Sequence, residues 1–174
     1  MACALTSDIS LGCRDSKGGI KTIYVTELAN KSTLSANPSG VITTFTLATS
    51  TEFFTYNLEK EHASLTETTA YAPENGTVFS EQTLTFTLHK LQTTLRQELS
   101  LLIQNRVMVI VLDRNGKYWL LGKNNGMDVT NIESLTGQAF GDNNGYNLTL
   151  VGREEDMIQE VDASLIATLT APAS

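Results

Sequence analysis

The sequence predicts a mainly β protein, a sandwich or barrel with one α-helix packed on its sheet. Three observations lead there. Short runs alternate apolar and polar residues between clusters of Asn, Gly and Pro, as half-buried strands do. A single stretch, residues 89–105, switches to helical spacing. The order is strands, one helix, then strands, without the strand–helix–strand alternation that builds a parallel sheet.

Taken in order, residues 1–19 place Gly12, Gly18 and Gly19 among polar residues and read as an N-terminal arm. Residues 20–28 form the first strand, where Thr and Lys alternate with Ile23, Tyr24 and Val25. Residues 29–40 are rich in turn formers, and strands follow at 41–48 and 53–60, the second with Phe54, Tyr56 and Leu58 on one face. Residues 63–72 run into Pro73-Glu74-Asn75-Gly76, a hairpin signal in which Asn-Gly supplies positive φ angles.

The return strand, 77–88, has the cleanest alternation. Val78, Leu84, Phe86 and Leu88 lie on one face and Glu81, Thr83, Thr85 and Thr87 on the other, a strand buried on one side only. Leu91, Leu95, Leu99 and Leu102 (or Ile103) then recur at helical spacing, and this stripe needs a sheet to cover. Residues 107–112 are continuously apolar and too short for a helix, so they read as a central strand covered on both faces. Asp113-Arg114-Asn115-Gly116 turns the chain into a strand over 117–122. Residues 123–145, dominated by Asn, Gly and Asp, read as a long loop with at most one short strand. The last clear strand is 146–152, and 156–174 read as a C-terminal arm or strand. All 174 residues are taken as a single domain.

Composition narrows the function. With 41% hydrophobic and 18% charged residues the chain can build a core. A formal charge of −7 argues against a groove that grips nucleic acid, since such grooves neutralise phosphates with Lys and Arg. Cys3 and Cys13, both near the start, do not make a disulfide framework, and a reducing compartment is expected. The start carries no basic and apolar leader and no run is long enough to span a bilayer, so no membrane role is expected, and the Asn-X-Ser/Thr triplets at Asn30, Asn75 and Asn147 are assigned none.

No catalytic constellation emerges. His62 and His89 each sit at the edge of an element without a Cys or carboxylate at ligand spacing. Glu59 with Glu61, and Glu154 with Glu155, lie in polar stretches that read as solvated faces, not as two carboxylates held across a cleft. The runs beginning at Asp113 and Asp142 lack the alternating ligands and closing Glu of a calcium loop. The expectation is a non-enzymatic protein with no catalytic, cofactor or metal residues.

Four segments carry a resemblance: Cys13-Arg14-Asp15-Ser16-Lys17-Gly18-Gly19-Ile20-Lys21; the strand-to-helix passage 84–103; Asn115-Gly116-Lys117-Tyr118-Trp119-Leu120-Leu121-Gly122; and Gly145-Tyr146-Asn147-Leu148-Thr149-Leu150-Val151-Gly152-Arg153-Glu154. Together they resemble virion structural proteins of phages infecting Bacteroidota hosts, in the tail-tube-like group, over most of residues 13–155. The resemblance implies a small β-sandwich or barrel with a flanking helix, whose subunits form hexameric rings stacked into a hollow tube. It implies self-association, contact with other phage tail proteins, double-stranded DNA passing through without specific binding, and a place in the virion after assembly in the host cytoplasm. Head–tail completion, terminator and secretion-tube proteins share such folds, and a head decoration protein, a connector or a β-sandwich binding module remain alternatives. If the hairpin lines a channel, Glu67, Glu81, Thr83, Thr85 and Thr87 are the candidates for its wall. The core candidates on the helix are Leu91, Leu95, Leu99 and Leu102.

Overall fold

The computed structural model describes residues 8–172. Strands make up 48% of it and helices 13%, so the chain is mainly β. The elements are β1 Ile20–Glu27, β2 Lys31–Ala36, β3 Ile42–Leu47, β4 Phe54–Asn57, β5 Ala63–Ala72, β6 Thr77–His89, α1 Thr93–Gln104, β7 Val107–Asp113, β8 Tyr118–Leu121, β9 Met127–Leu135, β10 Gly145–Glu154, β11 Gln159–Val161 and α2 Ala163–Leu169.

The strands form one mixed sheet that folds over into two layers. The first runs β4-β1-β7-β8-β11-β3-β2 and the second β9-β10-β6-β5. They join where Val107 at the start of β7 pairs with Met127 at the start of β9. All pairings are antiparallel except β3 with β11, which meet at Ile42 and Val161.

β7 is the central strand its apolar run predicts. Side chains alternate across a strand, so Val107, Val109 and Val111 face the core between the layers, with Leu84, Phe86 and Leu148. Met108 and Ile110 face a second core on the outer side of the first layer, with Ile42, Phe45 and Leu120.

Each core has its own helix. Leu99 and Leu102 of α1 are buried in the inter-layer core, and Leu91 and Leu95 pack at its margin. All four predicted leucines therefore face the sheet, while Ile103 is 56% exposed. The helix begins at Thr93 and not at 89, because β6 continues to His89 and the next residues are held in a turn. Asn144 accepts the Lys90 N–H through its carbonyl at 2.6 Å and the Leu91 N–H through Oδ1 at 3.1 Å, and Lys90 takes φ 76°.

The second helix corrects the reading of 156–174 as an arm or strand: β11 occupies only three of these residues, and α2 follows. Asp162 caps α2 by accepting the Ser164 N–H at 2.9 Å, and Ile166 and Leu169 close the outer core.

The loop read over 123–145 is also corrected, since β9 fills much of it. A bulge opposite Thr149 and Leu150 inserts an extra residue, so the inward side chains Val129 and Ile132 fall three apart and break the period of two. β2 was hidden for a related reason: it pairs with β3 alone and carries only Leu34 as a large apolar residue. Where 136–144 do form a loop, it is organised by Asp142, whose Oδ2 accepts the N–H groups of Gln138 and Ala139, each at 2.8 Å.

Two hairpin details differ from expectation. Ala72 pairs with Thr77, so the first turn is a four-residue loop over 73–76, and within it only Gly76 takes a positive φ. The far end of this hairpin runs past β10, whose last partner in β6 is Ser80, and Val78 is therefore 56% exposed instead of buried. In the second hairpin Asp113 Oδ1 accepts the N–H groups of Asn115 at 2.8 Å and Lys117 at 2.9 Å, and Gly116 supplies φ 80°. Of the N-terminal arm, residues 8–19 are almost entirely without regular structure, and Cys3 lies outside the described residues.

Two outcomes follow. Leu99→Ala should cost about 2–5 kcal/mol by emptying a buried site, whereas Ile103→Ala should stay within about 0.5 kcal/mol, both read by denaturant unfolding. Partial burial pushes the Asp113 carboxyl up, but hydrogen bonds from the Lys117 N–H, the Trp119 indole and Asn115 outweigh it and hold the group below its ordinary value of 3.8. A depressed folded value stabilises the charged form, so this contribution is present above the ordinary value and is lost as pH falls through the folded one. Asp113→Ala should therefore lower the melting temperature at neutral pH, and the gap to wild type should narrow on acidification.

Candidate functional site: a polar sheet face with free edges

The feature with the most functional content is the outer face of the second layer. Directly paired residues share a face, so the registers define it. On β6 it carries Glu81, Thr83, Thr85 and Thr87; on β10 Arg153, Val151, Thr149 and Asn147 lie beside them in that order. β5 adds Thr68, Thr66 and Ser64 opposite the first three, and β9 adds Glu133 and Asn131 beside Asn147 and Thr149. The inner face of the same strands buries Leu84, Phe86, Leu148 and Leu150. The layer thus has an apolar centre within, with Ser80, Gln82 and Glu154 buried toward one end, and is rich in hydroxyl and amide groups without.

Four of the five predicted wall residues, Glu81, Thr83, Thr85 and Thr87, fall together on this face. Glu67 does not. It pairs with Gln82, one step out of phase with Glu81, and points to the inner side, where its Oε1 accepts the Ser80 hydroxyl and the Ile158 N–H. Thr66 and Thr68 hold the outward positions on β5.

The electrostatics of the face also differ from what net charge implies. Arg153 Nε binds Glu81 Oε2 at 2.8 Å, and Arg106 Nε lies 3.7 Å from Asp128 Oδ1 beside the β9 end. Glu133 makes no ion pair among the described residues. The face is nearly neutral, and both arginines on or beside it already have a carboxylate partner. Thr87 Oγ1 donates to Asn147 Oδ1 at 2.9 Å and Thr130 Oγ1 to the Thr149 carbonyl at 3.1 Å.

The layer ends in strands with unpaired backbone. Among the described residues, β5 pairs only with β6, and β9 pairs with β10 on one side and meets β7 only at its first residue. Such edges are templates for another chain. The β5–β6 hairpin also extends beyond the layer, exposing Tyr71 (68%), Val78 (56%) and Phe79 (37%).

The turn that joins the layers is clamped from within. Glu154, expected on a solvated face, is buried at 3% exposure. Its Oε1 accepts the N–H groups of Asn124 at 3.0 Å and Asn125 at 2.8 Å, and Gln82 Oε1 accepts the Gly122 N–H at 3.0 Å. The signal was present in the sequence, because Glu154 continues the inward series Tyr146, Leu148, Leu150 and Gly152 at period two. Gly122 takes φ 66°, and a Cβ there would lie 2.9 Å from backbone atoms of Gly126 and Met127. That leaves room only for glycine.

The histidines, separate in sequence, meet at the base of the first hairpin. The rings of His62 and His89 stack edge to face at 4.6 Å between centroids, and His89 Nδ1 lies 3.2 Å from Asn143 Oδ1. Among the described residues no three His, Cys, Asp or Glu side chains are grouped to hold a metal ion, and no helix is long and apolar enough to cross a membrane. No protein-family model matches the chain, and neither curated proteins nor solved structures provide a match.

The clamp makes a measurable claim. Glu154→Ala leaves two backbone N–H groups without acceptors and should cost about 1–3 kcal/mol. Glu133→Ala, on the open face, should be close to neutral in the same thermal or denaturant melt.

Proposed function

We propose that this chain is a self-assembling structural protein, a bacteriophage tail tube subunit whose copies form stacked hexameric rings around a channel for DNA. The observation that carries the reading is the second layer: four strands, with an apolar core on the inside, hydroxyl- and amide-lined on the outside, and with edges that have no strand partner among the described residues. A ring arrangement satisfies both edges of this layer at once, β9 of one copy meeting β5 of the next, and a closed ring leaves neither of them exposed. The polar face then becomes the inner wall. The resemblance in residues 13–155 points the same way.

A wall of this kind suits passage without binding. DNA adheres to proteins chiefly through Lys and Arg that neutralise phosphates, and on this face Arg153 is held by Glu81. Threonine hydroxyls and Asn amides remain, which hydrogen-bond to water as well as to phosphate. The low affinity thus comes from the lack, among the described residues of this face, of a cation without a carboxylate partner, and the overall charge of −7 adds only a weak repulsion, because charges beyond about 8 Å are screened at physiological salt.

Purified full-length chain should form rings or tubes in negative-stain images and elute far above the monomer mass. A protein that remains a monomer at high concentration would contradict the reading, and a discrete trimer would favour a head decoration protein. Tubes of the wild type should not retain double-stranded DNA at physiological salt. Tubes carrying Glu81→Lys with Glu133→Lys, which add free cations to the wall, should retain it with an affinity that falls steeply as salt rises.

A further inference from the structure

Four Asn-Gly pairs occur in the chain, beginning at Asn75, Asn115, Asn125 and Asn144. An asparagine followed by glycine is chemically vulnerable, because glycine has no Cβ to hinder its backbone nitrogen when that nitrogen attacks the neighbouring side-chain amide. Attack requires two freedoms. The Asn side chain must be able to swing back onto the main chain, and the Gly nitrogen must not be held in a hydrogen bond or a packed interior. The fold decides which of the four pairs has both.

Three are restrained. Asn115 accepts the Lys17 N–H at 2.8 Å and donates to its carbonyl at 3.0 Å, while the Gly116 N–H donates to the Asp113 carbonyl at 3.3 Å. Asn125 donates through Nδ2 to the Arg153 carbonyl at 2.9 Å, and Gly126 is buried, with side-chain atoms of Arg106 and Leu28 each 3.2 Å from where a Cβ would stand. Asn144 accepts the Leu91 N–H at 3.1 Å. Gly145 is buried at the start of β10, so close to β6 that a Cβ would collide with the Leu88 carbonyl.

Asn75 differs on every count. It is exposed, and neither its side chain nor the Gly76 N–H has a hydrogen-bond partner among the described residues. Only its own backbone N–H is engaged, donating to the Ala72 carbonyl at 3.2 Å. A Cβ on Gly76 would meet nothing within 4 Å, so there is space for a ring to form. The pair sits at the tip of the β5–β6 hairpin, beyond the last paired residues, Ala72 and Thr77, and past Ser80, where β10 ceases to cover β6.

We propose that Asn75 is the site at which the folded chain modifies itself, losing ammonia through a succinimide to become aspartate or isoaspartate. The Gly76 nitrogen gives up its proton and bonds to Asn75 Cγ. The Cγ–Nδ2 bond breaks, and the amide leaves as ammonia with that proton. Water then opens the ring. Attack at Cγ yields aspartate, and attack at the main-chain carbonyl carbon yields isoaspartate, in which the chain runs through Cγ. Amide and water thus become carboxylic acid and ammonia, with no change of oxidation state. Either product puts a carboxylate beside Glu74, at a tip flanked by the exposed Tyr71, Val78 and Phe79. An uncovered apolar patch therefore gains negative charge as the protein ages. The chemistry requires only the folded subunit and does not depend on how copies assemble.

The test incubates the full-length protein in warm, mildly alkaline buffer, either folded or in concentrated urea. Conversion at each pair is followed by peptide mass spectrometry, and isoaspartate is counted with an isoaspartyl carboxyl methyltransferase and labelled S-adenosylmethionine. In the folded chain Asn75 should convert about tenfold or more faster than each of the other three, which react only through local opening. In urea the four rates should converge. Asn75→Ser should remove the fast isoaspartate signal of the folded protein and leave the slow ones. No conversion at Asn75, equal rates at all four pairs in the folded chain, a site faster than Asn75, or the same ranking persisting in urea would each overturn the proposal.

Discussion

The rest of the structure depends on the burial of β7 on both faces. A strand in an antiparallel sheet usually needs only one apolar face, but here Val107, Val109 and Val111 enter one core while Met108 and Ile110 enter another. Each such side chain contributes on the order of 1.5–3 kcal/mol when fully buried, and both faces must be covered for the strand to be stable. That requirement calls for the second layer and α1 on one side and for β3 and α2 on the other. It also fixes register, because a slip of one residue would exchange the two sets of side chains between cores of different shape.

A second constraint arises from the way the sheet folds over. The chain passes from β8 in the first layer to β9 in the second within five residues, a turn that buries the Gly122 N–H and directs the N–H groups of the exposed Asn124 and Asn125 toward the sheet. Glu154 and Gln82 accept all three, and Gly122 provides a conformation that other residues resist. Polar side chains that look like surface residues in composition are thus required inside, since a buried donor without an acceptor is costly. The inner face of the second layer is accordingly apolar around Leu84, Phe86, Leu148 and Leu150 and polar at the end that carries Gln82 and Glu154.

What the sequence revealed and what it hid follow from the same physics. β6, β7 and α1 were legible because their patterns are uninterrupted: alternation from Ser80 to Leu88, an apolar run, and leucines at helical spacing. β9 was illegible because its bulge places Val129 and Ile132 out of phase. α2 was too short for its period to stand out, although Asp162 marked its start. For the candidate site, alternation placed Glu81, Thr83, Thr85 and Thr87 on one face, whereas Glu67 required the register of β5 against β6, which depends on a four-residue turn that Asn75-Gly76 alone does not specify. The pairing of Glu81 with Arg153 depends on strands 72 positions apart in sequence, a relation no local pattern encodes.

The central claim is that the outer face of the second layer becomes the wall of a channel when copies close into a ring. A cryo-EM reconstruction of the assembled protein tests it directly, through the radius at which each strand face lies. The account predicts Thr83, Thr85 and Thr149 at the innermost radius, with β9 of each copy hydrogen-bonded to β5 of the next. A reconstruction with those threonines on the outer surface, or with α1 lining the lumen, would contradict it.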